Sequence, residues 1–97
     1  MTTLVCHDIV FYTELDESAF FHTLEQIPAI KKISGYQRDL FIEVPSQLSQ
    51  KTLREIIGIF YRYKIDMRQL AQFSTPRNHS WFHSPKAYWY RRVFGAQ

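Results

Sequence analysis

The spacing of apolar residues changes period on either side of Pro45, and this restricts the fold more than any other feature of the chain. From Tyr36 to Val44 the pattern alternates, with Leu40, Ile42 and Val44 on one face. Such alternation is the mark of a strand, and Pro45 stops it. From Ser49 the apolar residues return every three or four positions instead: Leu53, Ile56, Ile57, Phe60 and Tyr63 share one side. This predicts a helix over 50–64, with Ile59 and Tyr61 at its margins. So wide an apolar arc calls for cover from more than a sheet, and the end of the chain is the natural source.

The flanking stretches extend the same logic. Residues 4–13 are rich in β-branched and aromatic types, apolar on both faces, and predict a first strand covered on both sides. A helix over 17–27 is expected next, capped by Asp16, with Phe20, Phe21, Leu24 and Ile27 inward and Pro28 ending it. Residues 29–35 fit either a short strand or an extra helical turn; as a strand, 30–34 would pair with 38–44 as a hairpin, with Gly35 marking a turn. Asp66 and Gln69 fit a capping box for a short helix over 67–73, although the odd-numbered Ile65, Met67 and Phe73 also fit a strand. Thr75-Pro76 suggests another turn over 76–82. Ser84, Pro85 and Gly95 punctuate a last helix over 85–94. On that helix Trp89, Val93, Tyr90, Phe94 and Ala87 should face the core. Tyr88, Arg91 and Arg92 should face out, with the Arg92 guanidinium over the Tyr88 ring. The expected architecture is α+β. It is a single domain in which a small, mainly antiparallel sheet of two or three strands packs as one layer against three or more helices.

Composition narrows the setting. At 97 residues the chain is long enough for one modest core. No apolar run approaches the roughly 20 residues that span a bilayer. The first residues lack a basic segment, which predicts no signal peptide and no membrane partner. The single cysteine, Cys6, has no internal disulfide partner. These features predict a cytoplasmic location. The net charge of +3 hides a split. Five acids and no Lys or Arg precede Lys31; five bases and no acid follow Asp66. Charge so divided steers and orients a partner.

No motif specifies a reaction, and no cofactor is expected. His79 and His83 are four apart, the spacing of two metal ligands on a helix, but a third would have to come from Cys6, His7 or Asp66. His79, His83, Arg77 and Lys86 together suggest a metal-free ribonuclease, which ranks third among the readings. The basic, aromatic C-terminal third suits nucleic acid, which ranks second. A protein-binding role ranks first. Its candidate contacts are Tyr88, Arg91 and Arg92, with the acidic group Glu14, Asp16 and Glu17 as the alternative.

The residues Lys64-Ile65-Asp66-Met67, Trp81-Phe82, Tyr88-Trp89 and Val93-Phe94-Gly95 form a pattern that loosely resembles small bacterial immunity proteins to contact-dependent growth-inhibition toxins. The resemblance covers the C-terminal third only. It implies an inhibitor that neutralises a toxin partner, and it carries over no site residues because folds in that family are diverse. The positive charge departs from the acidic composition common among nuclease inhibitors of this kind.

Overall fold

The computed structural model describes residues 1–95 and has an α+β fold: a three-stranded antiparallel sheet and several helices. Contacts divide the chain into two compact units, Met1–Leu48 and Ser49–Gln97.

The first unit holds the sheet. Strands β1 (Thr2–His7), β2 (Lys32–Tyr36) and β3 (Asp39–Val44) lie in the order β1-β3-β2, both pairs antiparallel. The expected hairpin is present, with Ile33 opposite Ile42. Its turn is Gln37-Arg38, not Gly35, which lies within β2 opposite Leu40. Gln37 takes the left-handed conformation (φ 56) that tight hairpins require. The first strand is shorter than the 4–13 expected. Asp8 turns left-handed (φ 50) and its N–H donates to the Arg38 carbonyl, which closes the ladder at His7. Nor is the strand covered on both sides: Leu4 and Cys6 are buried, while Thr3, Val5 and His7 are exposed. Alternation in β1 is therefore that of a strand with one wet face.

Helix α1 (Glu14–Glu25) starts three residues earlier than predicted, because Thr13 and not Asp16 is its cap. The Thr13 hydroxyl accepts from the Asp16 N–H at 3.0 Å, and the Asp16 carboxylate accepts from the Tyr12 N–H at 3.3 Å. The exchange resembles a capping box shifted by one residue. Phe20, Leu24 and, past the helix end, Ile27 are buried with Leu4, Cys6, Ile42 and Val44 to form this unit's core. Phe21 is only half-buried.

The second unit is helical. Helix α2 (Gln50–Arg62) is capped by Ser49, whose hydroxyl accepts from the Thr52 N–H at 3.1 Å. Leu53, Ile56, Ile57, Ile59 and Phe60 are buried on it. Its end is a Schellman motif: the Ile65 N–H donates to the Phe60 carbonyl and the Lys64 N–H to that of Tyr61. Lys64 holds the left-handed position (φ 59) usually given to glycine. The expected helix over 67–73 is a 3₁₀ segment, Arg68–Phe73, with Leu70 and Phe73 buried. At its start Asp66 accepts from the Arg68 N–H at 3.0 Å, and the Gln69 side chain donates to the Asp66 carbonyl at 2.7 Å.

Helix α3 (His79–Phe82) supplies the extra turn anticipated after Thr75-Pro76. Buried Asn78 fixes it. Its Oδ1 accepts from the Thr75 N–H at 2.9 Å, and its Nδ2 donates to the Phe73 carbonyl at 2.8 Å. The last helix, α4 (Tyr90–Phe94), is half the length predicted. Residues 85–89 instead form turns and a bend, with Ala87 N–H to the Ser84 carbonyl and Tyr90 N–H to that of Ala87. The Trp89 indole reaches back to the Phe82 carbonyl at 2.8 Å and ties the segment to α3. Gly95 ends α4 in the left-handed conformation expected of it. Val93 is buried, but Trp89, Tyr90 and Phe94 are only half-buried.

Candidate partner-binding surface

The C-terminal candidates gather on one exposed surface of the second unit. Arg92 carries its guanidinium 4.3 Å over the ring of Tyr61, and Nη1 donates to the Tyr61 carbonyl at 3.5 Å. The expected Arg92–Tyr88 pair is thus replaced by one 31 residues away. With α4 starting only at Tyr90, Tyr88 and Arg92 do not share a helical turn. Tyr88 instead meets Tyr61 edge-on, 4.7 Å between centroids. It remains 53% exposed. Partial burial, and secondarily Tyr61, raise its phenol above the ordinary value and keep it a hydrogen-bond donor. A side chain added at Gly58 would come within 3.8 Å of the Tyr88 hydroxyl, so α2 presents a small residue where the tyrosine lies.

Beside this tyrosine–arginine platform lies a concave cleft of about 430 Å³, lined by Lys64, Ile65, Asp66, Met67, Arg68, Arg91 and Arg92. Asp66 does not cancel all four cations. It is held by Arg68 through two hydrogen bonds, Nε to Oδ1 at 3.0 Å and Nη2 to Oδ2 at 2.9 Å. The Arg68 hydrogen bond holds the Asp66 carboxyl below its usual range. Lys64, Arg91 and Arg92 line the rest of the cleft. Periodicity had placed Tyr61 at the margin of a helix and offered no reason to join it to Arg92. Lys64 and Arg68 were also missed. Arg68 belongs to the basic run after Asp66 and Lys64 lies just before it, but neither position says which bases meet.

The acidic candidates lie on α1, in the first unit. Asp16 is committed to the helix start. Glu14 and Glu17 are exposed on the first turn, where the helix dipole favours them.

The histidine readings fare differently. The rings of His79 and His83 stack at 4.3 Å and 13°, and His83 stacks in turn on Phe94 at 4.0 Å. Parallel rings do not aim their nitrogens at one point, and the Ser74 hydroxyl hydrogen-bonds His83 Nε2. Among the described residues no three His, Cys, Asp or Glu side chains are grouped to hold a metal ion. Arg77 and Lys86 are exposed. Cys6 is buried, and burial pushes its thiol up to about 12, far from the thiolate a nucleophile or ligand needs.

Two imidazoles titrate in opposite directions. A hydrogen bond to Asp39, with the charges of Asp39 and Asp8, raises exposed His7 above the ordinary value. Its contribution to stability is full below the unfolded pKa and lost as pH rises through the folded one. Desolvation, and then His79, lower His83. The unfolded chain takes that proton first, so stability falls as pH drops from the ordinary imidazole value towards the folded one. Imidazole NMR titration should give a midpoint above the ordinary value for His7 and below it for His83. Midpoints on the same side would contradict these environments.

No helix among the described residues is long and apolar enough to cross a membrane. Comparison with protein-family models, curated proteins and solved structures finds no match to this chain. Fold and surface together define a small α+β protein with an exposed tyrosine–arginine platform beside a cationic cleft.

Proposed function

We propose that this chain is a small protein-binding module of the inhibitor kind, which neutralises a partner by occupying it. The immunity-protein resemblance points to a toxin domain as that partner. The observation that carries the reading is the platform of Tyr61, Tyr88 and Arg92 beside the Lys64–Arg91–Arg92 cleft. Tyrosine and arginine dominate interface hot spots. Here Tyr61 holds Arg92 in place and meets Tyr88 edge-on, so less freedom is lost on binding. The cations suit carboxylates on the partner and raise the association rate.

Nucleic acid is the second reading, favoured by the same cleft. The two separate by salt and by kinetics. A tagged chain recovered from its native host should carry a stoichiometric protein. Tyr88→Ala should then speed dissociation by about 30-fold, the loss of one hot spot. Arg91→Glu should act mostly on association. Recovery of nucleic acid alone, with an affinity that falls steeply with salt and a slope reduced by Lys86, Arg91 and Arg92 replacements, would reject the protein-binding reading.

A further inference from the structure

The first unit carries an exposed surface of its own, independent of the C-terminal platform. From the loop after β1 into the first turn of α1 the chain displays three large apolar side chains to solvent within six residues. Val10 is 62% exposed, Tyr12 85% and Leu15 82%. Single exposed apolar residues are ordinary, but a close group on a fixed backbone is the usual form of an interaction site.

The backbone here is fixed. Phe11, between Val10 and Tyr12, turns inward and packs on Phe20 and Phe21 with centroids 5.3 and 6.4 Å apart. The Tyr12 N–H is held by the Asp16 carboxylate. Thr13 accepts from the Asp16 N–H through its hydroxyl and from the Glu17 N–H through its carbonyl. With half-buried Phe11 packed on Phe20 and Phe21 and the helix start capped, Val10 and Tyr12 are left exposed on an anchored loop. Leu15 follows on the first helical turn. Nothing in strand pairing or helix capping requires apolar types at these three positions.

The charges say what covers them. Leu15 lies between exposed Glu14 and Glu17, and Arg38, the base recorded beside this loop, stands against Asp8 at 3.8 Å. An acidic partner would be repelled, and a purely apolar one would strand the carboxylates out of water. We propose that Val10, Tyr12 and Leu15 form a preformed docking ridge for a basic protein partner, one that offers an apolar pocket rimmed by lysine or arginine. The chain then presents faces of opposite charge on its two units.

The test uses the whole chain and three synthetic probes. The first is an amphipathic helix with a leucine–tryptophan stripe flanked by lysine and arginine. The second is its glutamate twin, and the third is oligolysine without the stripe. Backbone NMR should show saturable shifts over residues 10–17 with the first probe only. Leu15→Ser with Tyr12→Ser should weaken that binding at least tenfold. These side chains are exposed, so the fold should survive, and an unchanged spectrum elsewhere checks this. The charge reversals Glu14→Lys and Glu17→Lys should weaken it as well. Loss of Tyr88 should leave it unchanged, which separates this surface from the C-terminal one. No binding of the basic probe, equal shifts with oligolysine or the acidic twin, or burial of these residues by self-association would each overturn the proposal.

Discussion

Replacing Phe82 by alanine should destabilise the C-terminal unit by about 3–5 kcal/mol, the range for deleting a large buried aromatic. Phe82 is fully buried. Its ring meets Phe94 at 5.0 Å, Trp81 at 5.7 Å and His83 at 5.8 Å, so it touches α3, α4 and the turn between them. Helices of four and five residues do not hold themselves together, and this ring joins them. The measurement is the urea midpoint followed by tryptophan fluorescence, with Trp81 reporting directly. Tyr12→Ala is the control and should move the midpoint little, since that ring is exposed. An equal, small effect of both would mean that Phe82 does not fill the core described. Trp89, by contrast, is half-buried, and Trp89→Phe should cost about 1 kcal/mol, mainly the hydrogen bond to the Phe82 carbonyl.

The second large effect is expected at Asn78, the one polar side chain buried among the described residues. Asn78→Leu nearly preserves volume but leaves the Phe73 carbonyl and the Thr75 N–H without their partner. Unsatisfied groups of this kind make the expected loss about 2–4 kcal/mol. Asn78→Asp keeps the acceptor for Thr75 but sets an oxygen against the Phe73 carbonyl, and should also destabilise. Thermal unfolding of both variants checks this. A leucine variant as stable as the parent would show that the asparagine bonds are dispensable. The signal was present in the sequence as Thr75-Pro76, but that reading anticipated only a turn over 76–82 and gave Asn78 no part in it. The structure adds the reciprocal bond, in which Asn78 closes on the Thr75 N–H while its own N–H approaches the Thr75 hydroxyl at 3.3 Å.

What the sequence determined by itself is local. The alternation of 38–44, the helix begun by Ser49 and the left-handed end at Gly95 were all legible. Each depends on residues within a turn or two, where side-chain period and capping chemistry decide. Tertiary structure decided where elements stop and which side chains meet. Asp8 ends β1 because the distant Arg38 carbonyl takes its N–H. The helix expected from Pro85 begins only at Tyr90, with the Trp89 indole bound to Phe82. Lys64 adopts the conformation expected of glycine as the chain closes on Phe60. The candidate surface divides in the same way. Exposure of Tyr88, Arg91 and Arg92 followed from a helical arc, which gave the right outward side even though the helix proved half as long. The platform itself did not follow. Arg92 rests on Tyr61, 31 residues away, and a preference of arginine for aromatic faces cannot choose among six tyrosines until packing has placed one beneath it.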